Sequence, residues 1–432
     1  MRLNVDHLRQ IIEPHREKHL LLGCSGGLDS TVLAYVFDTL GLNFSLIHVN
    51  YKLRGLDSDL DQDHVEQLAN QLGVKFHVRV EDLSNSVQNI QLVARNARYT
   101  FFKNIQKSIP NSVLCTAHHL DDQIETFFIN LLRGTGVKGL SGISESEELI
   151  RPLLSYNKVQ IHQYALANKL KWREDVSNQK ATYLRNKIRL ELLPVLDEID
   201  ANFRMNFSQN LEHLKRDSII IEMHRVHVLN GIRTEKNEVK RYDIQKIIAL
   251  RPFETLLDLI FRPEGFYHTL ELKKLLKTEG GKFIENDRKN QILLKSGQFL
   301  YQLSKEVNPN LFNLKTLFSI TEVKKEDLTY TESTCIYVDK EMLKGNFNLK
   351  PLSSLHYFYP FGMTKKKKVS KFLKDIGIQG PLKLYIPLLF DGDELLWVVP
   401  FRMDNRSRIT SKTKNILKIE CLEKDFWELF SS

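Results

Sequence analysis

The sequence predicts an α/β protein. An N-terminal parallel, doubly wound sheet is followed by a mostly helical α+β middle region and a small β-rich C-terminal region. Three observations predict this. Short apolar runs alternate with helical runs through the first 120 residues, and βα repetition builds a parallel sheet with helices on both faces. Helical periods dominate from 155 to about 216. Near the C-terminus, YIPLLF-DGD-ELLWVVPF reads as two strands joined by a turn.

The elements follow in order. HLLLGC (19–24) is a buried strand and LDSTVLAYVFDTLG (28–41) a helix closed by Gly41. NFSLIHVNY (43–51) is a strand, and DSDLDQDHVEQLANQLG (57–73) a helix with acidic residues in its first turn, where the helix dipole favours them. VKFHVRVE (74–81) is the third strand, and VQNIQLVARNARYTFFKNI (87–105) is helical by period. SVLCTAHH (112–119) is the fourth strand, and LDDQIETFFINLLRG (120–134) a helix ending at Gly134. KVQIHQYALANKL and ATYLRNKIRLELLPVLDEI carry the helical stretch that follows. From about 220 to 305 short helices lead into KFIEND and NQILLKSGQFLYQL, which read as strands; beyond Lys305 comes a polar, lysine-rich connection. CIYVDK and LHYFYPFG complete the last region.

At 432 residues the chain is long enough for several domains, and 42% hydrophobic residues against 27% charged is a composition that buries a core. Sixty-two Lys and Arg against 53 Asp and Glu leave a net charge of +9. That excess suits an anionic partner such as nucleic acid, and equally a soluble protein of basic pI. The four cysteines, Cys24, Cys115, Cys335 and Cys421, form no C-x-x-C pair, which argues against a thiolate metal site and for a reducing compartment. Cys24 and Cys115 lie in apolar runs, as buried small hydrophobes do. The N-terminus is charged throughout and no run is long enough to span a membrane. The expected location is cytoplasmic.

Ligands of doubly wound sheets bind beyond the C-terminal strand ends, and the polar clusters lie there. Ser25-Gly26-Gly27-Leu28-Asp29-Ser30 joins a strand to a helix. Glycines let a ligand approach the peptide N–H groups, and the helix N-terminus aims its free N–H groups at the same place. Both suit a phosphate. Asp29 then sets a carboxylate beside the anion, which requires a bridging cation and so implies Mg²⁺. The competing reading is a tight turn with Asp or Ser capping the helix.

His118-His119-Leu120-Asp121-Asp122-Gln123-Ile124-Glu125 follows the fourth strand. Glu125 lies at i+4 from Asp121 and i+3 from Asp122, so it shares a face with either. Three carboxylates in one turn repel one another unless they face a cation, either Mg²⁺ or a substrate ammonium; the alternative is a helix N-terminus enriched in acids by its dipole. Arg95 and Arg98 stand three apart, for phosphate, base or solvent. Asn50 and Arg54 follow a strand end and fit the same cleft. Arg185, Asn186, Lys187 and Arg189, in the stretch from Asn178, suit an RNA backbone or a solvated face. LLRGTGVKGL reads as a helix cap and loop. In the C-terminal region Lys365–Lys368, Lys371, Lys374, Arg402, Arg406 and Arg408 interleave with Tyr357, Phe358, Tyr359 and Phe361, a pattern that suits an RNA stem.

SGGLDS resembles the PP-loop of the N-type ATP pyrophosphatases, a group that includes GMP synthetase and NAD synthetase and that splits ATP into an adenylate and pyrophosphate. HVNYKLRG (48–55), ARNARYTFF (94–102), TAHHLDDQIETFFINLLRGTGVKGLSGI (116–143), RPLL (151–154) and WREDVSNQKATYLRNKIRLELLPVL (172–196) follow in order. Together they resemble the tRNA(Ile)-lysidine synthetase family, densely over 1–216 and more loosely beyond. The resemblance implies a PP-loop catalytic domain over 1–216, a helical tRNA-binding domain over 217–305 and a C-terminal tRNA-binding domain over 325–432. It implies ATP and Mg²⁺ as cofactors, with free L-lysine and an isoleucine tRNA of CAU anticodon as partners. It places ATP at Ser25, Gly26, Gly27, Leu28, Asp29 and Ser30, with the metal at Asp29. It gives catalytic roles to Asp29, Arg95, His118, Asp121, Asp122 and Glu125, and sets the glycine-rich loop after the helix near the active site. Two departures stand out: QGPLKLYIP replaces a proline-and-tryptophan segment, and Tyr51 stands where histidine is common. A thiolating PP-loop enzyme is the enzymatic alternative, although no cysteine pair is visible. A non-catalytic RNA-binding protein is the other, against which Asp29 and Asp122 weigh. Oligomeric state stays open, a homodimer included.

Overall fold

The structure, a computed structural model, describes residues 3–83, 90–173, 184–236, 239–286, 289–306, 313–328 and 334–422. The chain forms two compact units, Met1–Ile221 and Glu222–Ser432.

In the first unit α1 (Val5–Ile12) leads into β1 (His19–Gly23), α2 (Leu28–Thr39), β2 (Phe44–Asn50), α3 (Leu56–Gln71), β3 (Lys75–Val80), α4 (Ile90–Ser108), β4 (Ser112–Thr116), α5 (Leu120–Leu132), α6 (Val137–Leu140), β5 (Leu149–Ile150) and α7 (Lys158–Ala167). The expected strands and helices therefore form within a residue or a few of their expected ends; residues 87–89 of the α4 stretch and 174–183 lie outside the described residues. The short strand β5 has no counterpart in the sequence reading, since two residues carry no period. The five strands form one parallel sheet in the order β3-β2-β1-β4-β5. β1 is central, and the chain turns back beside it when it reaches β4. This switch point opens a crevice at the C-terminal ends of β1 and β4.

The apolar runs behave as a two-sided sheet requires. Leu20, Leu22, Leu46, Val113 and Cys115 face a core shared with Val32, Leu33 and Val36 of α2. Leu21, Ile47 and Leu114, one residue out of phase, pack on Phe102 of α4. At Gly23 the approach is tight: a Cβ would lie 2.7 Å from Phe102 Cε2.

Downstream, α8 (Leu184–Lys187) passes through a π-turn at Ile188–Leu192 into α9 (Leu193–Ile199), and α10 spans Phe203–Ile232. The Leu193 N–H bonds the Ile188 carbonyl, five residues back. Pro194 supplies a reason, since it has no N–H for the Leu190 carbonyl and its ring crowds that group. Ile188, Leu193, Phe207 and Leu211 pack on Leu120 and Ile124 of α5. The boundary expected at 216/217 lies inside α10, not in a linker.

The second unit begins with β6 (Arg233–Lys236) and β7 (Val239–Asp243), which the sequence reading took for helix. After α11 (Ile244–Ala249), α12 (Phe253–Phe261) and α13 (Thr269–Lys277) come β8 (Phe283–Asn286), β9 (Gln291–Ser296) and β10 (Phe299–Ser304). The sheet is antiparallel, in the order β6-β7-β10-β9-β8. Leu293 and Leu300 face the helices, with Leu257 and Phe261. Ile292, Leu294, Tyr301 and Leu303 face the other way, into one core with Leu382, Tyr385 and Trp397. Strands β7, β9 and β10, expected in one domain, thus share a core with residues expected in the next, such as Leu382, Tyr385 and Trp397. The predicted hairpin forms, with Asp391 opposite Glu394 across a Gly392-Asp393 turn.

Candidate functional site

Between Gly23 and α2 the chain turns at Gly26, whose φ of +81° is left-handed. A side chain there would also press on Val65 and His64 of α3, 3.3 and 3.4 Å from its Cβ. Ser30 braces the loop: its hydroxyl accepts from the Ser25 N–H (3.2 Å) and donates to the Gly27 carbonyl (3.2 Å). Ser25 Oγ lies 3.3 Å from it. Gly27 is the N-cap of α2, its own N–H donates to Ser25 Oγ at 3.3 Å, and among the described residues no side chain caps the helix. The capped-turn alternative is therefore not what forms; the first N–H groups of α2 have no side-chain cap, an arrangement that favours an anion.

The second strand end brings His118, His119 and Asp122. The Asp122 carboxylate accepts from the His119 N–H at 3.0 Å. The buried His119 ring sits between both strand ends, 3.7 Å from Asp29, 3.4 Å from Asp121 and 3.6 Å from Asp122. Burial raises the pKa of Asp29, against the pull of His119 and Lys158. Burial pushes Asp122 up as well, but His119, His118 and Arg185 outweigh it and hold that carboxyl below its usual range. Burial takes His118 down to about 4, so it is a neutral imidazole at pH 7, with Nδ1 2.8 Å from Thr116 Oγ1.

Ser25, Asp29, Ser30, His118 and Asp122 line one open cleft of about 410 Å³ at the switch point, a size that suits a nucleotide-scale ligand. Gly26 and Gly27 shape the loop, and Leu28 is buried beneath it. Three expectations change. Asp121 does not line the cleft: it accepts from the Lys158 N–H at 2.7 Å and pairs with Arg204. Glu125 is completely buried, with Arg185 Nε at 2.5 Å and Arg189 Nε at 2.6 Å. The cation that three clustered carboxylates require is thus supplied largely by arginines of the chain itself. Arg95 is exposed and stacks over Tyr99 at 5.2 Å, whereas Arg98 lines the cleft. Asn50 and Arg54 are also turned elsewhere, Asn50 to Asp59 and Gln62, Arg54 to Asp61.

Sequence reasoning missed several lining groups. His48 donates from Nδ1 to the Cys24 carbonyl at 2.9 Å, which leaves Nε2 as the bare nitrogen. Lys158 opens α7 behind an Asn157–Gln160 capping box, the one local signal of where that helix starts. Arg189, expected to face RNA or solvent, lines the cleft; burial would lower its pKa, but Glu125 and Asp122 raise it. The glycine-rich loop after α5 forms α6, with Asn130 Nδ2 bonded to the Gly139 carbonyl at 2.7 Å.

A magnesium ion is testable against these residues. Asp29 Oδ1 is buried and has no hydrogen-bond partner among the described residues. Among the described residues no group of three or more His, Cys, Asp or Glu forms a metal cage. One or two carboxylates completed by phosphate oxygens and water is how Mg²⁺ is commonly held, and Asp29 and Asp122 fit that donor set.

Residues 3–196 match the PP-loop domain family, and residues 353–421 match the TilS substrate C-terminal domain. The first unit is thus a PP-loop, ATP-binding domain, the class that the strand order and the loop define. Over nearly its whole length the chain is 31% identical to a tRNA(Ile)-lysidine synthase of Parabacteroides distasonis, covering 98% of this chain and 99% of that one. It is 29% identical to that of Bacteroides thetaiotaomicron (92% and 94%) and 27% identical to that of Clostridium tetani (97% and 97%). The chain belongs to the tRNA(Ile)-lysidine synthase family.

Proposed function

We propose that this protein is the ligase that converts the wobble cytidine of the CAU-anticodon isoleucine tRNA to lysidine, which changes the codon read from AUG to AUA. ATP adenylates the C2 oxygen of the cytidine, releasing pyrophosphate. The ε-amine of free L-lysine then forms the C–N bond, and AMP leaves with the former C2 oxygen. The observation that carries the reading is the uncapped α2 N-terminus beside Asp29, in a cleft shared with His118 and Asp122, in a chain aligned end to end with this family.

The roles follow from the site. Backbone N–H groups at Leu28–Ser30, with Ser25, hold phosphate oxygens. Asp29 and Asp122 would hold Mg²⁺, which neutralises phosphate charge as pyrophosphate departs. Lys158 and Arg189 add fixed positive charge on the same cleft. His118, neutral at pH 7, is a proton acceptor for the attacking amine. Asp121 and Glu125 serve through Arg204, Arg185 and Arg189 and do not bind the lysine ammonium directly. Arg95, exposed on α4, would meet a phosphate or the base of the RNA. Regions 217–305 and 325–432 bind the tRNA, which must present its cytidine unstacked. The chain works in the cytoplasm; among the described residues no helix is long and apolar enough to cross a membrane. The thiolation alternative wants a cysteine pair, and the four cysteines form no C-x-x-C motif.

Incubation with ATP, Mg²⁺, labelled lysine and the CAU-anticodon tRNA should give ATP-dependent label in the tRNA. Absence of lysine incorporation, with the tRNA bound, would sink the proposal.

A further inference from the structure

The cleft that the phosphate loop lines also has aromatic side chains in its wall, and one of them, Tyr51, stands where histidine is common in the family. Tyr51 follows β2 directly and lines the cleft with Arg98, Tyr99 and Phe102. Its hydroxyl lies 3.0 Å from the Ala94 carbonyl and 2.9 Å from Arg98 Nε. A carbonyl only accepts and a guanidinium only donates. The direction of the chain of bonds is therefore fixed: Arg98 Nε–H to Tyr51 Oη, and Tyr51 O–H to the Ala94 carbonyl. Ala94 stands one helical turn before Arg98 on α4, so one phenol bridges that turn. The Arg98 guanidinium also lies 5.7 Å from the Tyr51 ring centre. An exposed arginine otherwise wanders over many rotamers. Here Nε is used up, and among the described residues no hydrogen bond takes the terminal N–H groups, which remain for a ligand of the cleft.

We infer that Tyr51 is a positioning residue, which holds Arg98 at the cleft so that its free N–H groups meet a phosphate oxygen of the substrate. The inference rests on the proposed reaction for the identity of the substrates. The phosphate belongs either to the nucleotide or to the RNA backbone, and a planar guanidinium with two free amino groups suits both.

The test is a double-mutant cycle of Tyr51→Phe and Arg98→Ala on the full chain. Affinities are measured at fixed salt for a non-hydrolysable ATP analogue and, separately, for the CAU-anticodon tRNA. Tyr51→Phe should weaken one of the two by roughly threefold to tenfold, as loss of one net hydrogen bond does. The ligand whose affinity moves identifies the phosphate. Arg98→Ala should weaken the same ligand at least as much, and the double variant should be no weaker than Arg98→Ala alone. In turnover, KM for that substrate should rise by more than kcat falls. Arg98→Lys, which keeps the charge but loses the Nε donor, should also become insensitive to Tyr51→Phe. Affinities within twofold of wild type for both ligands in Tyr51→Phe, or losses that add in the double variant, would overturn the inference. A wild-type protein that makes no lysidine yet shows the non-additive cycle would overturn the reaction and leave the inference standing.

Discussion

Glu125 separates two accounts of the site. On sequence spacing it faces a cation supplied by substrate or metal; in the structure its side chain is 0% exposed between Arg185 and Arg189. Glu125→Gln keeps the shape and removes the charge, so both guanidiniums lose their nearest counter-ion. Removing one partner of a fully buried ion pair costs about 3–5 kcal/mol. Arg185 and Arg189 are 41% and 23% exposed, so water repays part of that loss; exposed pairs are worth about 0–1 kcal/mol. The expected cost is about 2–3 kcal/mol. For a unit the size of Met1–Ile221 each kcal/mol lowers Tm by about 2–4 °C, so the melting temperature should fall by about 4–12 °C. Differential scanning calorimetry of the full chain measures it, and turnover should drop as well, because Arg189 lines the cleft. An unchanged Tm together with a raised KM for lysine would refute this reasoning and return Glu125 to the substrate ammonium.

Three further outcomes are expected. Asp29→Ala should abolish ATP-dependent AMP formation while tRNA still binds in a filter assay; turnover near wild type would remove Asp29 from the metal. Replacing Lys365, Lys366 and Lys368 with Gln should lower the slope of log K against log salt for tRNA by up to roughly one unit per lost contact; Lys367 is left in place because it pairs with Asp375 at 2.8 Å. Glu264 has its carboxyl held below the usual value: burial pushes it up, but bonds from Gln302 and Lys240, each 3.0 Å, outweigh that. Its contribution to stability is therefore fully present above its unfolded pKa, near the ordinary 4.5, and is lost as pH falls through the lower folded value. Glu264→Gln should cost about 1–3 kcal/mol at neutral pH, and the gap in urea midpoint should close as pH drops below about 4.5; a gap that does not vary with pH would contradict the assignment.

The legible part of the fold is the part written in short-range signals. Apolar runs of five to seven residues, such as His19–Gly23 and Phe44–Asn50, encode strands because both sheet faces are covered. The residues of SGGLDS encode an anion cradle because left-handed backbone at Gly26 and an uncapped helix start are local properties. The charged strands β6 and β7 escaped because RTEK and VKRYD have little apolar alternation, and their pairing with each other and with β10 is what makes them strands.

By itself, then, the sequence determined the parallel sheet, the phosphate loop, the placing of HHLDDQIET at a neighbouring strand end, and through their order the family. Only the tertiary structure decided which carboxylates face the cleft. Helical spacing says that Asp121, Asp122 and Glu125 lie within one turn, but not which way that turn is rotated or what opposes it. That was settled by Arg185, Arg189 and Arg204, some sixty to eighty residues later in the chain and brought in by the packing of Ile188, Leu193 and Phe207 on α5. Charge cancellation at a buried site is a property of groups close in space, and spacing along the chain does not contain it.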